Sequence, residues 1–518
     1  MQPPSLTYDT AAKRVRNLLR PYSATSVVKL AFDVTQSVRN ANMIDQLKTW
    51  PWLTFLIVKL ALEDQMIPLS AGQPCPQRVF DQCLQLLWDV PHSDDRLGSK
   101  GDEPRGNVYL MLRSMVHTQL LFQKKLSWDF LRWPALIARL EPEHPTRVHF
   151  ENRLGMSPDD FVVLCFAAYT PVINGNTTIG PDFFAPFKRK FGVRVARFLD
   201  EFSRDLPMLR GELRGALRTR MASGKPPRNR QELVEFPWIA NYPLLRLPGG
   251  QFAVWHPIIF ARGLETAVHK RLSELKGQYA DSFSKVFEGY VLELIADAGL
   301  AYLSEQTYKA ALGGSRNAVE GIITCSGTNV FIESKMTIFS EDMTHSDQAP
   351  VVWQNMKRVR EAMHQGWMVS SMLRSGATPA WECTHAKKDY LIIVTSQQIN
   401  CASAEHFTRM FNRDVFDKVR LQAVHATSPT AEQLERLPLT NIVIVSIEEF
   451  EHLMGCVLKG EIDLVGFLGE VAEAHSDPAT SVMFVDQLLG PKVKAWRLTN
   501  ALDQARQRAE ATLEVVLS

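Results

Sequence analysis

The sequence lacks the extremes of composition that would assign a class of function at once. Its 518 residues carry 58 Lys and Arg against 56 Asp and Glu, a formal net charge of only +2. A strongly basic chain would point to a nucleic-acid partner, so any basic surface here must be local. Charged residues at 22% and apolar residues at 45% are ordinary for a soluble globular protein. A chain this long predicts two or three domains.

Long apolar runs and paired cysteines are also missing. The longest apolar stretches, residues 54–62 and 162–172, are too short to span a bilayer, and residues 1–5 do not resemble a signal peptide. The seven cysteines are an odd number without a Cys-x-x-Cys pair, which argues against a disulfide framework and a zinc ribbon. We therefore expect no membrane partner and a cytoplasmic location.

The first half of the chain has the pattern of a helical region. Apolar residues at helical spacing dominate residues 1–275, which we assign to a recognition or partner-binding region. Residues 242–256 have the alternation and central glycines of a small hairpin. Loops rich in glycine, proline and charge at 91–107 and 223–230 would divide this region into subdomains.

The second half changes to a mixture of helix and strand. A helix at 281–298 precedes three short strands, a further helix and two buried strands. The predicted strands lie at residues 303–308, 319–324, 330–336, 390–395 and 441–446. This order predicts a mixed α/β sheet with helices on both faces. We assign residues 276–460 to this core and 461–518 to a C-terminal helical extension.

Residues suited to catalysis concentrate in the second and third of these strands. Glu333 and Lys335 are two positions apart on a strand, so they project to the same side. A turn at residues 326–327 would put Glu320 directly opposite Glu333. Like charges so placed destabilise a bare hairpin. Mg²⁺ bound between the two carboxylates would turn this repulsion into a stabilising interaction. Such a cation activates water and neutralises charge on a phosphodiester, and a neighbouring lysine can orient the water.

This pattern resembles the PD-(D/E)XK, or restriction-endonuclease-like, nuclease superfamily, in its Holliday-resolvase-like and phage-defence-associated branches. A helix of the form Phe-Glu-x-x-Val precedes the core there, as residues 287–291 (FEGYV) do here. The family's hairpin carboxylate matches Glu320, and its (Asp/Glu)-x-Lys motif matches residues 333–335 (ESK). A glutamine on the next helix in some branches matches Gln354. The resemblance covers residues 281–446.

The resemblance implies an endonuclease that hydrolyses phosphodiester bonds of DNA with Mg²⁺ or Mn²⁺. Glu320 and Glu333 would hold the metal, with the Ser334 carbonyl as a further ligand and Glu288 in support. Lys335 would position the attacking water. The remaining predicted catalytic residue is Gln354. The family's hairpin carboxylate is usually aspartate, so the glutamate here is a departure that alters the metal geometry.

Local basic stretches supply candidate contacts to nucleic acid. Arg210, Arg214 and Arg218 follow one another at a spacing of four along one helix face. A surface that tracks phosphates has this pattern, and so does a solvated helix face that leads into a linker. Lys357 and Arg358 lie on the helix after the Glu-x-Lys strand, where the resemblance places the substrate groove.

Two other interpretations remain open. The chain could keep a nuclease-like fold as an inactive subunit that binds nucleic acid or scaffolds a complex, and the glutamate at 320 favours this. It could also be an all-helical interaction protein with incidental charges, which requires that residues 319–336 form no hairpin. Large N-terminal additions to nuclease cores suggest, by analogy alone, antiphage defence with a protein partner.

Overall fold

The computed structural model describes most of the chain. The described residues are 6–37, 51–90, 109–110, 112–113, 116, 128–224, 232–233, 235, 237–275, 277–311, 318–338, 343, 346, 349–373, 381–411, 437–493 and 498–518. The predicted loop at 91–107 lies outside them, as does the predicted linker at 223–230 beyond its first two residues.

Among the described residues, four helices at the start of the chain pack around an apolar core that also includes Leu209, Leu245 and Trp255 from later elements. The third of them begins at Pro51, where the missing N–H of proline costs nothing. It is apolar around its whole circumference, and such a helix is stable only when buried on all sides. The four helices are α1 (Tyr8–Leu19), α2 (Ala24–Ser37), α3 (Pro51–Glu63) and α4 (Gln77–Trp88).

A second group of helices follows, and side-chain caps fix where several of them begin. The Ser157 hydroxyl accepts the N–H of Asp160 at 3.2 Å, with Pro158 as the first helical residue. Asp205 caps a later helix in the same way. The group comprises α5 (Asp129–Ala138), α6 (Pro145–Leu154), α7 (Pro158–Ile173), α8 (Ala185–Phe191), α9 (Val193–Phe202), α10 (Leu206–Ala222) and α11 (Pro257–Ser273).

A small four-stranded sheet lies within this helical region. The hairpin predicted at residues 242–256 is confirmed, and its turn contains Gly249 at a φ of 79°, a conformation that favours glycine. The two outer strands have only two residues each, too short to show a periodicity in the sequence. The strands are β1 (Thr178–Ile179), β2 (Ser203–Arg204), β3 (Leu244–Arg246) and β4 (Phe252–Val254), in the order β1-β4-β3-β2.

The second half contains the predicted mixed α/β sheet. Its order is β5-β6-β7-β8-β9, antiparallel from β5 to β7 and parallel from β7 to β9. The elements in chain order are α12 (Gly277–Asp297), β5 (Tyr302–Ser304), α13 (Glu305–Ala311), β6 (Gly321–Cys325), β7 (Thr328–Lys335), α14 (Ala349–Asn355), α15 (Lys357–Leu373), β8 (Lys388–Thr395), α16 (Ala404–Phe411), β9 (Ile442–Ser446) and α17 (Ile447–Leu458).

Two predicted elements differ from the structure. The strand predicted at 303–308 ends at Ser304, because the Ser304 hydroxyl accepts the N–H of Thr307 at 3.3 Å and caps α13 instead. The single helix expected near residues 350–373 is two helices, α14 and α15, which are separated at Met356.

Helices cover both faces of the sheet, as the element order predicts. On one face, α12 packs against β7, with Phe287 of the helix in the same core as Val330 and Ile332. On the other face, α15 packs against β7 and β8. Gly366 permits this approach, because a Cβ at that position would lie 2.5 Å from a methyl carbon of Leu391.

The last part of the chain is helical, as predicted. The core under α12 also includes side chains of α5, α7 and the final helix, so it extends across residue 276. Because the predicted domains share this core, the boundaries at residues 275–276 and 460–461 stay predictions. Among the described residues, no helix combines the length and apolarity needed to cross a membrane. The final helices are α18 (Leu464–Ser476), α19 (Asp486–Leu489) and α20 (Asn500–Leu517).

A buried ion pair joins the two halves of the chain. Arg132 on α5 donates from Nε and Nη2 to the two carboxylate oxygens of Glu451 on α17, both at 2.6 Å. The Tyr290 hydroxyl on α12 donates to the same carboxylate at 2.7 Å. Arg132 also donates to Asp129. Arg132 is 1% exposed, so breaking the pair would leave an uncompensated charge in the interior.

Removing one partner of this pair is therefore expected to destabilise the whole chain. Arg132→Met should lower the free energy of unfolding by about 3–5 kcal/mol, because Glu451 would stay buried and unpaired. Arg139→Gln, which breaks an exposed pair with Glu293, is the control and should cost no more than about 1 kcal/mol. Urea unfolding measures both, and equal losses would show that the buried pair is not a critical contact.

Candidate functional site

The hairpin that carries the predicted site is present in the predicted register. A two-residue turn joins β6 to β7, and both Ser326 and Gly327 have a positive φ, at 50° and 69°. Ile322 pairs with Phe331, and pairing continues from Gly321 to Cys325. The all-helical interpretation, which required that no hairpin form here, is therefore wrong.

Glu320 does not pair directly with Glu333, so that part of the prediction is wrong. Gly321 pairs with Ile332, and the N–H of Glu320 donates to the Ile332 carbonyl at 3.0 Å. Two residues therefore face one, which is a β-bulge. The bulge redirects the Glu320 side chain towards Ser334. Its two oxygens accept the Ser334 N–H at 2.7 Å and the Ser334 hydroxyl at 2.8 Å.

Glu333 and Lys335 lie together at the end of β7, on the same side of the strand as predicted. The Lys335 amine donates to Glu333 Oε1. Glu333 is only 3% exposed, and its other oxygen, Oε2, is buried without a hydrogen-bond partner in the described part of the chain. A buried carboxylate oxygen without a partner is costly, so Oε2 is suited to bind a cation.

Four carboxylates share the electrostatic field at this end of the sheet. Burial raises the pKa of Glu333 to about 7, against the opposing effect of Lys335 and with smaller contributions from Glu305 and Glu288. Burial also holds the pKa of Glu320 well above its usual range, and the charge of Glu333 raises it further. Burial and then Glu305 raise the pKa of Glu288. Glu288, which lies on α12, is therefore within electrostatic range of Glu305 and Lys335.

The sequence pattern does not point to Glu305, the fourth carboxylate. The predicted strand at 303–308 runs past it, whereas the chain turns into α13 at that residue. The Glu305 N–H donates to the Glu320 carbonyl at 3.0 Å, so the two residues are neighbours across the sheet. Its carboxylate forms an ion pair with Lys309. The capping serine at position 304 is the signal that could have located it.

α13 also fixes the backbone that leads into the bulge. The Tyr308 hydroxyl is buried and donates to the Val319 carbonyl at 2.5 Å, and it accepts the Val319 N–H. Val319 directly precedes Glu320, so one helix positions both Glu305 and the start of β6.

The carboxylates are not arranged around one point in this structure. In the described part of the chain, no three His, Cys, Asp or Glu side chains form a group that could hold a metal ion. Glu320, Glu333 and Glu305 each accept from a protein donor instead, namely Ser334, Lys335 and Lys309.

The donor set itself suits Mg²⁺ or Mn²⁺. Both cations prefer carboxylate, carbonyl and water oxygens. In an extended strand the N–H and C=O of one residue point the same way. Since the Ser334 N–H points to Glu320, its carbonyl faces that side too. Glu333 Oε2 supplies the oxygen that has no other partner.

The helices after β7 bring one of three predicted residues into contact with the backbone just beyond β7. Arg358 donates from Nη1 to the Met336 carbonyl at 3.1 Å, one residue beyond Lys335. Lys357 is exposed and pairs with Glu361 at 3.6 Å. Gln354 is exposed on α14 and makes no hydrogen bond to the described part of the chain.

Two of the three predicted phosphate-binding arginines on α10 contact the fold itself. Arg214 donates to the Glu63 carbonyl at 3.3 Å and the Asp64 carbonyl at 2.9 Å, and Arg210 donates to the Ile67 carbonyl at 3.1 Å. These carbonyls lie at and just beyond the C-terminus of α3, where cationic side chains are stabilising. Arg218 is exposed.

The comparisons with known proteins add no relative. No family model matches the chain, and no curated protein and no solved structure matches it either.

Substitution on α10 distinguishes a structural role from a phosphate-binding role. Arg214→Gln should lower the free energy of unfolding by about 1–2 kcal/mol, because it removes two charge-assisted bonds to α3. Arg218→Gln, one turn along the same face, is the matched control and should stay within about 0.5 kcal/mol of the parent. Equal urea midpoints, together with weaker DNA binding by Arg214→Gln, would favour phosphate binding instead.

The raised pKa of Glu333 predicts how the stability of the metal-free protein depends on pH. The folded state holds this proton more tightly than the unfolded state, where the pKa of glutamate is about 4.3. The contribution of the protonated Glu333 carboxyl to the free energy of unfolding is therefore complete below about pH 4, and it is lost as the pH rises through about 7. Urea unfolding in EDTA should show that Glu333→Gln loses less stability than the parent between pH 5 and 8.

An exposed glutamate provides the control for this pH dependence. Glu510 pairs with Arg506 on α20. Glu510→Gln should leave the pH dependence of the parent unchanged. A Glu333→Gln protein whose stability declines with pH as steeply as that of the parent would contradict the assignment.

Proposed function

We propose that the protein is a metal-dependent endonuclease that hydrolyses phosphodiester bonds of DNA, with a restriction-endonuclease-like core in its second half. One observation carries the proposal. Glu333 and Lys335 lie side by side at the end of a central strand, and the buried Glu333 Oε2 has no partner in the described part of the chain. Glu288 and Glu320 lie in the electrostatic field of the same carboxylate.

Glu333 and Glu320 would hold Mg²⁺ or Mn²⁺, with the Ser334 carbonyl as a further ligand and Glu288 in support. For Glu320 this requires that its carboxylate share or release the two bonds from Ser334. Such a cation, when bound, lowers the pKa of coordinated water and neutralises charge that develops on the phosphate.

The cationic side chains have separate tasks in this proposal. Lys335 keeps a positive charge beside Glu333, where its amine orients water and stabilises the negative charge of the reacting phosphate. Arg358 is anchored to the Met336 carbonyl through Nη1. A guanidinium has five N–H donors, so Arg358 and the exposed Lys357 can contact the DNA backbone beside the site.

The helical first half would recognise the substrate or a partner protein. Its role in a phage-defence complex rests on analogy with nucleases that carry large N-terminal additions. The exposed Gln354 would join the site only through a contact with bound DNA. Arg218 is the α10 arginine that remains exposed for such a contact.

A second candidate is a nuclease-like subunit that binds nucleic acid without cutting it. The orientation of Glu320 favours this candidate, because both of its oxygens already accept from Ser334. A cleavage assay separates the two candidates, since only an active nuclease converts the bound DNA to product.

Cleavage of DNA with Mg²⁺ or Mn²⁺ tests the proposal. Lys335→Ala and Glu333→Gln should each reduce the rate roughly 100-fold or more, the usual cost of removing a group that stabilises the transition state. Lys492→Ala and Glu510→Gln, taken from ion pairs on the C-terminal helices, are matched controls and should keep the parent rate. Circular dichroism confirms that each variant folds.

A separate result would contradict the proposed metal dependence. Cleavage that persists in excess EDTA would rule out the metal mechanism. DNA binding without cleavage in either cation would leave the non-catalytic subunit as the better description.

A further inference from the structure

Three neighbouring strands each place one glutamate at the same end of the sheet. Glu305 directly follows β5, and Glu320 directly precedes β6. Glu333 lies two residues before the end of β7. Because neighbouring strands in the series β5, β6 and β7 are antiparallel, these three positions lie at the same end of the strands. The 3.0 Å bond from the Glu305 N–H to the Glu320 carbonyl confirms that the first two are adjacent.

The charge of Glu305 acts on Glu288 and Glu333. It is the largest charge effect on the pKa of Glu288, and it acts on Glu333 more strongly than Glu288 does. Glu305 therefore lies within electrostatic range of both Glu288 and Glu333. The nuclease motif assigns it no role.

The present partner of Glu305 is weakly held. Lys309 is one helical turn away on α13, and about a third of each side chain is exposed. An ion pair of this kind contributes little to stability. A divalent cation carries twice the charge of a lysine amine, so it can displace Lys309 at small cost to the fold.

A separate observation points to a place for a cation beside Glu333. Glu333 Oε2 is buried and has no hydrogen-bond partner in the described part of the chain, although its sibling oxygen accepts from Lys335. Lys309 and Lys335 therefore leave this side of the Glu333 carboxylate without a bonded donor.

We propose that Glu305 is a further ligand of the divalent cation bound at Glu333, and that Lys309 occupies its carboxylate until the cation arrives. This rests on the proposed metal site. Glu305 and Lys309 then have opposite effects on cation affinity. Loss of the carboxylate removes a ligand, whereas loss of the lysine removes a competitor and a repelling charge.

Mn²⁺ binding to the full chain, measured by calorimetry without DNA, tests this inference. Glu305→Gln should weaken Mn²⁺ binding about tenfold or more, which is about 1.4 kcal/mol. Lys309→Gln should strengthen it about threefold. Glu510→Gln, which breaks another helical pair one turn apart, should match the parent. Urea midpoints confirm that the variants are folded.

The outcomes separate this inference from the proposed function. If Glu333→Gln abolishes binding while Glu305→Gln matches the parent, the metal site stands and Glu305 is not a ligand. If Glu305→Gln and Lys309→Gln weaken binding together, their ion pair is structural and the inference is overturned. A parent that binds no Mn²⁺ at millimolar concentration overturns both proposals.

Discussion

A carboxylate buried at the end of a central strand must find positive charge, and the arrangement of the site follows from that requirement at Glu333. Lys335 satisfies one oxygen, and the other has no partner in the described part of the chain. The neighbouring carboxylates avoid the same problem through local donors, since Glu320 accepts from Ser334 and Glu305 from Lys309. Like charges at this density destabilise a fold unless a cation or protons neutralise them. The carboxylates thus remain close without sharing a ligand, which explains why no three of them converge in this structure.

The rest of the fold holds the elements that bring these charges together. Glu288 lies on α12, and Tyr290 on the same helix donates its hydroxyl hydrogen to Glu451. Glu451 is in turn held by Arg132 from the first half of the chain. Arg132, which is distant from the motif in sequence, is therefore linked through Glu451 to the helix that carries Glu288. This coupling argues that the helical first half and the sheet act as one structure, because the buried pair loses most of its value if either side moves.

Local sequence signals predict many of the helices and strands. The features that they do not predict have identifiable physical causes. Periodicity locates the long helices and the buried strands β8 and β9, and the turn at residues 326–327 fixes the hairpin register. The N–H of Glu320, however, bonds to the carbonyl that faces Gly321, and no pattern of apolar residues encodes such a bulge. Glu305 was hidden for a related reason, because a single capping serine ends the strand before it. The α10 arginines show a third limit, since their spacing is the same whether they contact DNA or, as Arg210 and Arg214 do, the carbonyls after α3.

The bulge also changes what the glutamate at position 320 signifies. On a regular ladder a glutamate would extend one bond farther than the family's aspartate and would alter the metal geometry, which favours an inactive subunit. At the bulge the regular ladder is interrupted, and the Glu320 side chain contacts Ser334 of β7. The longer arm of Glu320 does so, since its oxygens lie 2.7 and 2.8 Å from the two donors of Ser334. An aspartate there would be shorter by one bond and would lie farther from both donors. The glutamate is thus matched to the bulge, and its presence alone does not argue that the site has lost its activity.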